Sequence, residues 1–70
     1  MDKIGFRVKL QREKNEMSLR ELAKKVGLSA SFLSQVEGEK VFPSLQSLKK
    51  IADALHTTIG ELIGETGNIL

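Results

Sequence analysis

Cysteine is absent from this 70-residue chain, which excludes disulfides and thiolate metal sites and fits a reducing compartment. Histidine occurs once, at His56, and one imidazole cannot assemble a metal site, so no cofactor is expected. Tryptophan and tyrosine are missing and phenylalanine occurs three times, too few aromatics for a platform on which bases stack. No apolar run approaches the roughly 20 residues that span a bilayer, and the polar N-terminus lacks the features of a secretion signal. A soluble, cytoplasmic protein without membrane contact is expected. With no staple available, a domain this small must be held by an apolar core of Leu, Ile, Val and Ala.

The charge that is present is unevenly placed. The net charge is +2. All eleven Lys and Arg fall in residues 1–50 with six acids (Asp2, Glu13, Glu16, Glu21, Glu37, Glu39), an excess of +5, whereas residues 51–70 carry Asp53, Glu61 and Glu65 and no Lys or Arg, hence −3. Attraction to phosphates would need basic charge in the first part. Solvation of helix faces explains the same distribution, and on charge alone it is the favoured reading.

The pattern along the chain predicts an all-α, compact five-helix fold. Helix one runs from about Lys3 to Asn15, with Ile4, Val8 and either Phe6 or Leu10 on its apolar side. Ser18 and Glu21 form a capping box that opens helix two, and Met17 can staple onto Leu22. Leu19, Leu22, Ala23 and Val26 make its apolar stripe, and Gly27 supplies a left-handed stop. Ser29 caps helix three, with Leu28 able to staple onto Leu33. Leu33 and Val36 face inward; Ala30, Ser31, Ser34 and Gln35 lie opposite. Gly38 ends it, and Pro43 prevents continuation. Ser44 caps helix four, striped by Leu45, Leu48, Ile51, Ala52 and Leu55. A second capping box, Thr58 with Glu61, opens a short fifth helix carrying Ile59, Leu62 and Ile63, which Gly64 closes. Residues 1–64 form the domain, and 65–70 a tail or the start of a linker.

The segment SLRELAKKVGLSASFLSQVE, Ser18 to Glu37, therefore contains two short helices joined by a tight corner. That is the layout of a helix-turn-helix. A helix that enters the major groove needs short side chains at its start and longer ones a turn later. Ala30 suits a thymine methyl, Ser31 and Ser34 suit several base edges, and Gln35 suits bidentate contact with adenine. Exposed amides at the starts of helices two and four (Ser18, Leu19, Ser44), the Ser29 cap and Lys40 would hold phosphates. Taken singly, each of these residues is ordinary helix surface; the combination with the corner favours duplex DNA.

ELAKKVG-LSASFLSQVE followed by PSLQSLKKIADAL resembles the lambda-repressor/Cro-like helix-turn-helix family, also called the xenobiotic-response-element family, over roughly residues 4–63. The resemblance implies operator binding, commonly by a two-fold homodimer on a palindrome, with half-sites about one helical turn apart, near 34 Å. FLSQVE and PSLQSLKKIADAL are similar to regulators that carry a cupin sensor domain, which would make these residues the DNA-binding part of a longer protein. It further implies an ion pair between Arg12 and Glu37 that ties helices one and three and turns Arg12 towards a phosphate.

Several positions depart from the family pattern. Glu16 and His56 stand where glycine is usual, and Asn15 and His56 are expected to tolerate the left-handed region. Gly38 then Glu39 replaces a polar residue then glycine, so helix three is expected to end a residue early, with the Glu39 charge near the phosphate path. Gln11 stands where an apolar residue is common, and Leu10 is the expected substitute.

The leading reading is thus a sequence-specific transcriptional regulator, a repressor, that uses helix three. The alternative is an antitoxin or protein-interaction module of the same fold, docking through Val41, Phe42, Ile59 and Ile63. An enzyme is not expected, because no nucleophile–base pair, ligand cluster or phosphate-cradling glycine loop is present.

Overall fold

A computed structural model describes residues 3–64 of the chain; the proposed tail at 65–70 lies outside them. Five helices account for the regular structure: α1 Ile4–Lys14, α2 Leu19–Val26, α3 Ala30–Glu37, α4 Leu45–Ala54 and α5 Ile59–Ile63. α1 packs on α3 and α5, α2 on α3 and α4, and α4 on α5. Leu22, Leu33, Ile51, Leu55, Leu62, Val8 and Val36 are the largest fully buried side chains, so each helix contributes to one interior. Among the described residues no helix is long and apolar enough to cross a membrane.

Serine and threonine chemistry sets the helix starts. Ser18 accepts from the Glu21 N–H at 3.0 Å while its own N–H donates to Glu21 Oε1 at 2.7 Å. That reciprocal pair fixes where α2 begins. Ser29 Oγ accepts from the Phe32 N–H at 3.0 Å, and Ser44 Oγ from the Ser47 N–H at 3.0 Å. At α5 the expected box is only half made: Thr58 accepts from the Glu61 N–H at 3.1 Å, with no return bond. Thr58 is thus a simple cap, worth about 1 kcal/mol.

The helix ends differ more from expectation. Gly27 is left-handed at φ 74°, as expected, and so is Gly64 at φ 82°. After α1 the left-handed residue is Glu16 (φ 56°), not Asn15. Asn15 instead donates from Nδ2 to the Gln11 and Leu55 carbonyls, at 2.8 and 3.1 Å, which joins the ends of α1 and α4. α3 ends at Glu37, and Glu39 takes the left-handed position at φ 63°. His56 does so after α4 at φ 58°. In all three turns the next N–H bonds five residues back, Met17 to Arg12, Lys40 to Gln35 and Thr57 to Ala52, the arrangement in which glycine is usual.

Three apolar assignments fail. Phe6 is 56% exposed and Leu10 46%, so neither completes the buried side of α1, and Leu10 does not replace an apolar residue at Gln11. Instead Gly5 is buried beside Ile4 and Val8. A Cβ on Gly5 would overlap the Val36 carbonyl oxygen and stand 2.8 Å from that of Glu37. Only a glycine lets α1 approach α3 this closely. Leu45 is 71% exposed: it is the first residue of α4 and lies over the edge of the core rather than in its stripe.

Candidate nucleic-acid interface

α2 and α3 meet at a corner of only Gly27, Leu28 and Ser29. The Gly27 and Leu28 amides both bond the Ala23 carbonyl, at 2.9 and 3.1 Å. Buried Ala23 beside α3 keeps the two helices close, and Leu33 anchors α3 with no exposure. Half-buried Phe32 packs against the same core. With Leu33 and Val36 inward, Ser31, Ser34 and Gln35 are exposed on the other side of α3. Ala30 departs from that set: it is half-buried and packed against the core, so only part of its methyl faces outward. No acidic residue lies in the first turn of α3.

The residues expected to meet phosphates fall into two groups. At α4, Ser44 and Gln46 are exposed and no acid lies in the first turn, so the unpaired amides of that turn stand free of competing negative charge. At α2 the capping box engages the Ser18 N–H with Glu21. The first-turn amides that keep no intrahelical partner are those of half-buried Leu19 and of Arg20. Exposed Arg20 went unnoticed in the sequence; a basic residue at the second helical position was the available signal. Lys40 is exposed, and its Cγ lies 3.9 Å from where a Cβ on Gly38 would be, so its stem runs over the end of α3.

Arg12 and Glu37 form a two-pronged pair, Nε to Oε2 at 2.7 Å and Nη2 to Oε1 at 3.0 Å. Nη1 donates to the Met17 carbonyl at 2.8 Å. Their side chains are 13% and 9% exposed. The hydrogen bond that Arg12 donates to Glu37 raises the Arg12 pKa above its ordinary value, against the opposing effect of burial. One guanidinium thereby ties α1, the end of α3 and the residue preceding the α2 cap. One N–H on each terminal nitrogen remains.

Glu39 also occupies an unforeseen place. Its carboxylate accepts from the Gly5 N–H at 3.3 Å and the Phe6 N–H at 3.0 Å. No nearby sequence signal announces this bond, since its partners lie more than thirty residues away.

An open apolar groove of about 230 Å³ is lined by Phe42, Pro43, Leu45, Ile59 and Ile63 with buried Ile4 and Leu48. Phe42 is 66% exposed. Three of the four residues expected at a docking surface are thus together; half-buried Val41 lies in a neighbouring depression with Glu39, Lys40 and Phe42. Among the described residues no group of three or more His, Cys, Asp or Glu could hold a metal ion.

Comparison with known proteins agrees with this geometry. Residues 8–62 match the helix-turn-helix family, and the chain belongs to that family, in its Cro/C1-type branch. It is 34% identical over 62 residues to the immunity repressor protein of Bacillus phage phi105, covering 89% of this chain and 43% of that protein. It is 38% identical over 63 residues to the HTH-type transcriptional regulator SinR of Bacillus subtilis (strain 168), covering 89% of this chain and 57% of SinR. The chain therefore spans about half the length of these relatives. A crystal structure of SinR, described as the master regulator for biofilm formation, in complex with DNA superposes with a TM-score of 0.81 at 38% identity, over 86% of this chain and 97% of that one.

Proposed function

We propose that this domain is a sequence-specific DNA-binding module of a cytoplasmic transcriptional repressor, with no enzymatic role, and that α3 reads the major groove. The observation that carries the reading is the division of α3: Leu33 and Val36 are buried while Ser31, Ser34 and Gln35 are exposed. Uncharged, hydrogen-bonding side chains on a fixed helix suit base edges. Ala30, half-covered, contributes at most a methyl contact to thymine. Lys40, the Arg20 side chain and the first-turn amides of α2 and α4 supply phosphate contacts, beside the Ser29 cap. Arg12, its guanidinium oriented by Glu37, offers its remaining N–H groups to the backbone. The likeness to SinR crystallised with DNA supports this assignment.

Binding-site selection followed by titration tests it. Gln35→Ala should weaken the cognate site by about 1–3 kcal/mol and relax preference at one base pair. Lys40→Ala should weaken all sequences alike and reduce the salt dependence by about one unit of slope. Unaltered discrimination in the first variant would remove α3 from base reading.

The groove at Phe42, Ile59 and Ile63 supports a second contact, pairing of two copies on a palindromic operator. A protein-interaction or antitoxin role is the competing use of that groove. Sedimentation separates them: a species that doubles on duplex DNA supports the operator-bound dimer, and one that ignores DNA supports a protein partner.

A further inference from the structure

The backbone after α3 is held by an acid that has no local reason to be there. α1 begins at Ile4; the side chain of its N-cap, Lys3, makes no capping bond, and its first turn contains no acidic residue. The positive end of this helix is satisfied instead by Glu39, whose two carboxylate oxygens accept separately from Gly5 and Phe6. A carboxylate in that position is stabilised by both N–H groups and the helix dipole. The same residue is left-handed at φ 63°. Its N–H bonds the Val36 carbonyl at 3.0 Å, and the following Lys40 N–H bonds the Gln35 carbonyl at 2.9 Å.

Its backbone conformation suits glycine, and the bonds to α1 offset that cost. They cross at the place where buried Gly5 already brings α1 onto the Val36 and Glu37 carbonyls, so they act on a fixed contact rather than on a loose surface.

We propose that Glu39 is a positioning residue for DNA recognition: by fastening the turn after α3 to the first turn of α1, it sets where Lys40 and the far end of the recognition helix stand. This rests on the DNA-binding role proposed above. Glu39 touches no base. Its charge is held by α1, and its effect is transmitted through the Lys40 and Gln35 backbone bond.

The test compares Glu39→Gly with Glu39→Gln on the duplex recovered by binding-site selection. Glycine keeps the left-handed turn and removes the fastening; glutamine removes the charge and keeps one acceptor oxygen. For Glu39→Gly, the preference for the cognate base opposite Gln35 should fall at least threefold, with the salt slope moving towards that of Lys40→Ala. Glu39→Gln should lie between this variant and the wild type. If both variants bind every sequence more tightly with wild-type discrimination, Glu39 merely repels DNA and the proposal is overturned. A wild-type protein that ignores duplex DNA would sink the functional reading instead. Backbone NMR on the free proteins then decides positioning alone. The Lys40 order parameter should drop from about 0.85 towards 0.6 in Glu39→Gly, and an unchanged value overturns the proposal.

Discussion

The α2–α3 unit and the frame around it turn their corners by different means. Within the unit, Ser18, Glu21, Gly27 and Ser29 make the start and stop of α2 and the start of α3 from neighbouring residues, and the one left-handed position is a glycine. In the frame, left-handed positions fall to Lys3, Glu16, Glu39 and His56 as well as Gly64, and the turns at Glu16, Glu39 and His56 are flanked by long-range bonds, from Asn15 to the Leu55 carbonyl and from the Gly5 and Phe6 amides to Glu39. Local chemistry therefore suffices for the part proposed to meet DNA, whereas the part that carries it depends on tertiary contacts that override local preference.

Four substitutions sharpen that contrast. The largest effect is expected from Gly5→Ala, where the new methyl meets α3 backbone that cannot yield like a side chain. Overpacking should outweigh the gain in helix propensity and destabilise by about 2–3 kcal/mol, measured by urea denaturation. Ser18→Ala removes the α2 capping box and should cost about 1 kcal/mol in the same measurement; a loss as large as that of Gly5→Ala would end the distinction between the two regions. The smallest effects carry the opposite sign. Glu16→Gly and His56→Gly should each stabilise by about 0.5–1 kcal/mol, because glycine enters the left-handed region without strain. A loss of stability at either would mean that the side chain there contributes more than its backbone costs.

What was legible in the sequence follows the same line. Ser18, Ser29, Ser44 and Thr58 could be read as caps because each acts within three residues, and Leu33 and Val36 could be placed inward because α3 has one apolar side. α1 resisted this reading. Its apolar residues point both ways, so periodicity gave no means to choose Ile4 and Val8 over Phe6 and Leu10, and the need for Gly5 lies in α3. Leu45 fits a helical stripe by spacing, but a first-turn residue projects past the core. Glu39 could be seen as a departure from the family pattern, not as the cap of a helix more than thirty residues earlier. At the candidate interface the outward side of α3 was legible, and so was the Ser18–Glu21 box that engages the Ser18 amide, while the partial burial of Ala30 depends on packing.

The brevity of α3 has its own consequence. Eight residues rise about 12 Å, and duplex DNA advances about 3.4 Å per base pair, so one such helix addresses about four letters. A word of that length recurs roughly every few hundred base pairs, among the roughly 10⁶–10⁹ competing positions of a genome. In the proposed operator-bound dimer the word is read twice at a set spacing, which makes the join between two readers as decisive as the side chains that spell it.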